Sequence, residues 1–290
     1  RERNLTIDIA GFERAMEAQR SRARSASQFA GGLSEEVAID SETTFCGYDQ
    51  SENQAIIKNI LVDGELVDQL TEGQQGIIVL DSSAFYAESG GQAGDIGQIS
   101  TSSANFDVSD TRKQGKAFTH IGLCQSGGFT VGETVTAHID EFHRSATALN
   151  HSTTHLLHAA LQQILGDHVS QKGSLVNAQR LRFDFSHFEP VNEHQLKEIE
   201  RLVNQEIRLN HEVETNLMAL DDARESGAMA LFGEKYDEEV RVLRMGDFST
   251  ELCGGTHAIR TGDIGLFKIL SEVGIASGVR RIEAVSGETA

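Results

Sequence analysis

At 290 residues the chain is long enough for two domains of ordinary size with separate cores. Its hydrophobic content of 39% is largely aliphatic, with 6% aromatic residues and no Trp, and no apolar run approaches the roughly 18 to 20 residues of a membrane span. A formal charge of −19 argues against strong autonomous nucleic-acid binding, although local basic patches decide such contacts.

The first element is a helix over residues 5 to 29, with Asp8 as N-cap, Ile9, Phe12, Met16 and Ala23 at roughly helical spacing, and Gly31-Gly32 as the stop. The chain opens on Arg1 rather than Met and without a signal-peptide pattern, so this helix is expected to end an upstream helical domain. From about Thr43 to Ile139 the texture changes to short β-like runs: Ala55–Val62, Gly76–Leu80, Phe106–Ser109, Ala117–Leu123 and Thr134–Ile139. Turns such as Asp63-Gly64 and Gly127-Gly128 separate them, which predicts a small antiparallel barrel. Within it, Ser89-Gly90-Gly91-Gln92-Ala93-Gly94-Asp95 is either a tight turn needing positive φ or a backbone-rich loop bordering a ligand. The residues alone favour the turn.

After Asp140 the pattern is mixed. A helix is expected from Glu141 to Leu165, stopped by Gly166, then a strand over Leu181–Phe185 and a second helix opened by Pro190. Strands follow at Val240–Met245, Ile264–Ser271 and Val279–Val285, giving a compact α+β domain. The expected organisation is thus a helical segment over 1–32, a barrel over 33–140 and an α+β core over 141–290.

Two phrases carry chemistry. His151-Ser-Thr-Thr-His155 lies in the long helix, where about 100° per residue puts both rings within roughly 40° of each other. The same wheel puts Leu149, Thr153, Leu156, Ala160 and Ile164 on the other side, so the helix is expected to bury its leucines and present its histidines elsewhere. His158 lies near the histidine face as a decoy or supporting group. With 11 His in the chain, such a pair arises by chance about 0.4 times, so a solvated pair explains it as well. Cys253-Gly-Gly-Thr-His257 adds more, because Gly254 and Gly255 let thiolate and imidazole converge on one ion. Together they make a Cys/His₃ zinc set. Four protein ligands are the mark of a closed, structural site, whereas a catalytic zinc keeps a position for water, and the phrases leave both open. They are not His-Glu-x-x-His, which argues against a zincin protease. Cys46, Cys124 and Cys253 form no disulfide framework, which points to a reducing cytoplasm. The basic groups Arg20/Arg22/Arg24, Lys172 with Arg180 and Arg182, and Arg280/Arg281 each read more simply as solvated faces.

These phrases have company. Ala87–Asp95, Leu149–His155, Val169–Ser174, Leu181–Phe185, Thr250–His257, Thr261–Gly265 and Val279–Glu283 occur in one order over most of residues 80 to 290. In that combination the chain resembles the editing region of alanyl-tRNA synthetases, preceded by the last helix of their tRNA-recognition region. The resemblance implies hydrolysis of the ester in Ser-tRNA(Ala) and Gly-tRNA(Ala). It puts His151, His155, Cys253 and His257 on the ligands of one Zn²⁺, Thr154 on a position associated with the serine hydroxyl, and Gln171 in the pocket. Gly90, Gly91 and Gln92 look like the barrel loop bordering that pocket. Lys172, Arg280 and Arg281 are placed at its mouth, toward tRNA phosphates. The aminoacylation domain, with its ATP and Mg²⁺, and the C-terminal oligomerisation segment are not in this sequence. The implied partners are therefore charged tRNA(Ala) and the rest of a synthetase chain. A free-standing editing hydrolase and a non-catalytic zinc-stapled tRNA-binding module are the alternatives. A second site suits the chemistry, since packing separates alanine from serine by only about 1–3 kcal/mol, whereas a hydroxyl-binding site rejects alanine. That argument covers serine and not glycine.

Overall fold

The computed structural model describes residues 11, 16, 39–225 and 238–290. The helix expected over residues 5 to 29 lies outside the described residues, except that Gly11 and Met16 are helical.

The first strands are β1 (Thr44–Phe45), β2 (Glu52–Val62), β3 (Glu65–Val67), β4 (Gln69–Thr71), β5 (Gln75–Leu80) and β6 (Ser82–Ser83). They continue with β7 (Gly97–Ser100), β8 (Asn105–Gln114), β9 (Ala117–Ser126), β10 (Gly128–Thr130) and β11 (Thr134–Ile139). Six of them close on themselves in the order β11-β7-β8-β9-β5-β2, with β2 pairing back to β11, and every pairing in the ring is antiparallel. Closure leaves these strands no free edge. Inward positions fill the interior with Ile57, Ile60, Ile78, Leu80, Ile99 and Phe106. The Asp63-Gly64 turn has φ of 52° and 81°, the left-handed pair that a twisted two-residue hairpin requires. Each strand expected from sequence lies in this ring.

The second part begins with α1 (Glu141–Leu165), β12 (Gln171–Val176), β13 (Leu181–Ser186) and α2 (Glu193–Leu209). It continues with β14 (Val213–Ala219), α3 (Leu220–Glu225), β15 (Glu239–Met245), β16 (Ser249–Leu252), β17 (Phe267–Ala276) and β18 (Val279–Ser286). A four-stranded antiparallel sheet, β12-β13-β18-β17, takes α1 and α2 against it, and a three-stranded sheet, β14-β15-β16, stands beside them. Leu156, Leu157 and Leu161 of α1 meet Phe183, Phe185 and Ile282 of the larger sheet and Ile199 and Val203 of α2.

Several expectations are corrected here. Helix α2 begins at Glu193, not at Pro190. Asn192 caps it through a reciprocal box with Gln195, and that pair of hydrogen bonds sets the start more firmly than proline's fixed φ. The strand expected from Ile264 begins at Phe267, after a 3-10 turn over Thr261–Ile264. Strands β12, β14 and β16 were not anticipated. Helix α1 has its expected bounds, with Asp140 accepting from the His143 amide and Gly166 beyond its end. Its histidines, however, are not turned away from the interior. Every residue from Asn150 to Leu161 is buried, because the segment between β6 and β7 and the loop after β16 cover the face that the leucines leave.

Candidate metal centre

Helix α1 supplies His151 and His155, each 6% exposed, with ring centroids 5.1 Å apart. The loop leaving β16 supplies Cys253 and His257. The four donor atoms lie within 4.8 Å of one another, with Cys253 Sγ 3.3 Å from His257 Nε2 and 3.5 Å from His151 Nε2. Gly255 makes this approach possible: a Cβ there would stand 2.2 Å from Cε1 of His151. Tyr48 of the barrel donates to the Gly254 carbonyl at 2.6 Å, and Arg241 donates to the Gly255 carbonyl at 3.0 Å. The Arg241 guanidinium lies over the Tyr48 ring at 3.5 Å, so loop, barrel and β15 are tied at one point.

Buried acceptors hold the outer nitrogens of the helix histidines. His151 Nδ1 faces Gln92 Oε1 at 2.8 Å, and His155 Nδ1 faces Glu251 Oε2 at 2.8 Å. The other Glu251 oxygen is 3.1 Å from His158 Nδ1. Burial opposes the charge on Glu251, but His155 and His158 outweigh it and bring the carboxyl to about 2. Burial likewise opposes a thiolate at Cys253, and the three neighbouring imidazoles outweigh it, holding the thiol well below its ordinary range. Burial pushes His257 down to about 3. His155, which burial would lower, is pushed up to about 10 by Glu251 and Cys253. Its Nε2 is buried with no hydrogen-bond partner. The cluster is an ionised sulfur among imidazoles whose outer nitrogens are occupied, an arrangement prepared for a cation.

The cluster opens on a cavity of about 660 Å³. One wall carries the metal-ligand side chains with Thr154 and Gln171, and the other carries Gly90 with Phe45, Tyr86 and Phe118 of the barrel. Such a volume is ordinary for a small-ligand site.

The family described as class II (A) tRNA synthetases matches residues 1–143, and the threonyl and alanyl tRNA synthetase second additional domain matches residues 240–283. Alanine–tRNA ligase of Shewanella loihica (strain ATCC BAA-1088 / PV-4) is 59% identical over 290 residues, which is 100% of this chain and 33% of that protein. The same ligase of Pseudomonas entomophila (strain L48) is 60% identical over 291 residues, again 100% of this chain and 33% of the relative. The chain belongs to the alanyl-tRNA synthetase family. It spans about a third of the length of these synthetase relatives.

Against that synthetase background, the residues singled out from sequence fall into three places. His151, His155, Cys253 and His257 converge, and Thr154, Gln171 and Gly90 line the adjoining cavity. Gly91, at φ 86°, packs so closely on β12 that a Cβ would stand 2.8 Å from the Ser174 carbonyl oxygen. Gln92 is 0% exposed behind the ligands and does not line the cavity. The basic residues lie elsewhere. Arg280 forms a forked pair with Glu272 and Arg281 with Asp184, and neither they nor the exposed Lys172 line the cavity. Sequence reasoning missed Glu251, Tyr48, Arg241 and the Asp95–Arg144 pair. One signal was available: Glu251 stands two residues before Cys253, so the period of a strand puts both on one face.

Proposed function

We propose that this chain is the part of an alanyl-tRNA synthetase that hydrolyses the aminoacyl ester of Ser-tRNA(Ala) and Gly-tRNA(Ala). The observation that carries the reading is the four-donor cluster opening on a cavity shared with Thr154 and Gln171. Zinc suits the donors. With Zn–S near 2.3 Å and Zn–N near 2.05 Å, a tetrahedral S···N edge is about 3.6 Å, and the two shortest sulfur–nitrogen edges here are 3.3 and 3.5 Å. Held by His151, His155, Cys253 and His257, zinc would supply a fixed positive charge against which an ester can be oriented.

The chain's own residues account for substrate choice. The Thr154 hydroxyl donates to the Asn150 carbonyl at 2.9 Å, so its lone pairs remain to accept from a serine hydroxyl. The Gly255 and Thr256 amides are committed to Cys253 Sγ and Gln92 Oε1. The Gly90 turn is then the source of N–H groups for a developing oxyanion, with water as the nucleophile. On this reading residues 1–32 end the tRNA-recognition helices, 33–140 form the barrel and 141–290 the editing core. Synthesis with ATP and Mg²⁺, and oligomerisation, belong to other segments of a cytoplasmic synthetase.

The test is incubation with Ser-, Gly- and Ala-charged tRNA(Ala), with and without a chelator. Release of serine and glycine but not alanine, lost on chelation, is the expected result. Cys253→Ala separates the metal's part, since undiminished release by a zinc-free variant would remove it. The complete four-ligand set also favours a second reading, a zinc-stapled tRNA-binding module. A zinc-loaded chain that binds the tRNA and hydrolyses none of the three esters would establish it.

A further inference from the structure

We propose that Gln92 is a positioning residue for the metal centre, a clip from the barrel that joins α1 to the Cys253 loop and fixes the tautomer of His151. Its effect on zinc rests on the metal reading above, while the tautomer follows from geometry alone. A backbone N–H can only donate. The Gln92 atom 2.9 Å from the Thr256 amide is therefore the carbonyl oxygen, and the same oxygen lies 2.8 Å from His151 Nδ1. Two groups facing one acceptor must both be donors, so His151 carries its proton on Nδ1. Its Nε2 keeps a lone pair, 3.5 Å from Cys253 Sγ, on the side a cation uses. The other end of the amide agrees, because Gln92 Nε2 donates to Thr256 Oγ1 at 2.8 Å.

The clip has little room to adopt another arrangement. Gln92 is 0% exposed, so no water replaces a bond it fails to make. At Gly255 a Cβ would stand 2.4 Å from His151 Nδ1 and 2.8 Å from Gln92 Oε1, which shows how tightly amide, ring and loop are stacked. The backbone that carries Gln92 is itself anchored: the Ala93 amide donates to the Val176 carbonyl at 2.8 Å, and the Val176 amide to the Gly91 carbonyl at 2.7 Å. One barrel side chain thus holds both halves of the ligand set, across gaps of 59 residues to His151 and 164 to Thr256. This places Gln92 behind the ligands, where it sets their geometry without touching substrate.

The test uses the full chain with two readouts that do not depend on activity. Nitrogen-15 NMR of the metal-free, histidine-labelled protein is expected to show His151 protonated on Nδ1, and a wild-type Nε2–H tautomer overturns the proposal without any variant. Zinc affinity, measured by competition with a chromophoric chelator, is expected to fall about ten- to a hundredfold in Gln92→Leu. It should stay at least at the wild-type level in Gln92→Glu, which keeps an acceptor facing both N–H groups. A folded Gln92→Leu that binds zinc as tightly as wild type overturns the proposal, and so does a Gln92→Glu that loses affinity. If circular dichroism shows Gln92→Leu unfolded, Gln92→Glu and the tautomer decide. A wild-type chain that binds no zinc overturns the metal reading instead, and the NMR tautomer still decides for Gln92.

Discussion

The carboxylate behind His155 differs in kind from the amide behind His151, because Glu251 serves two imidazoles at once. It is ionised, 3% exposed, and accepts from His155 Nδ1 at 2.8 Å and His158 Nδ1 at 3.1 Å. Glu251→Gln keeps one carbonyl oxygen and turns an NH₂ toward the other ring, so one histidine must face a donor. Zinc affinity in a chelator competition should fall about tenfold or more, and an unchanged affinity would remove Glu251 from the metal's support. Thr154 is a different case, since it lines the cavity and its proton is already given to Asn150. Thr154→Val keeps the shape and removes the acceptor, at a cost of about 1 to 1.5 kcal/mol for one hydrogen bond. Release of serine from charged tRNA should drop roughly tenfold while release of glycine is spared. An equal loss on both would show that Thr154 does not read the hydroxyl.

Among the elements, the barrel contains a histidine with no part in the metal centre. His120 on β9 is 0% exposed, with Nδ1 2.9 Å from the Ile78 carbonyl and Nε2 2.8 Å from Ser83 Oγ. The carbonyl can only accept, so Nδ1 carries the proton and Nε2 accepts from the serine. Burial pushes this imidazole down to about 4, so the folded barrel refuses a proton that the unfolded chain takes up below about 6.5. Stability attributable to His120 is therefore full above pH 6.5 and is lost as pH falls toward 4. Going from pH 7 to pH 5, denaturant unfolding of the wild type should lose about 2 kcal/mol more than that of His120→Gln. Equal losses would mean that His120 does not set this acid sensitivity. The elements themselves were unequally legible in the sequence. The bounds of α1 were readable because Asp140 and Gly166 are local signals, and the barrel strands because apolar residues alternate between glycine turns. Strand β12, Gln-Lys-Gly-Ser-Leu-Val, has no such alternation and exists through pairing with β13, while β14 is mostly exposed and held by its register on β15. The ligands were legible by type and spacing. Their supports, at separations of 59 and 96 residues for Gln92 and Glu251, were not, since nothing local marks which buried acceptor meets which ring.

At the scale of the whole molecule, the barrel meets the core through a few polar joints, and the strongest is at the start of α1. The Arg144 guanidinium donates to the Gly47 carbonyl at 2.7 Å, the Ala84 carbonyl at 2.8 Å and both carboxylate oxygens of Asp95. Asp95 also accepts from the Tyr86 amide at 2.7 Å, and its side chain is only 2% exposed. It belongs to the same loop as Gln92, so this joint and the metal clip share one piece of backbone. Removing one partner of a buried pair costs about 3–5 kcal/mol, mainly because the other charge is stranded. Arg144→Met should therefore lower stability in urea unfolding by that amount. Adding Asp95→Asn removes the stranded charge while keeping an acceptor for Tyr86, so the double variant should recover a substantial part of the loss. A cycle with no coupling would show that the pair does not join the two units. With coupling present, zinc affinity should also fall in Arg144→Met and recover with the double variant, because the loop that carries Asp95 also carries Gln92 to His151.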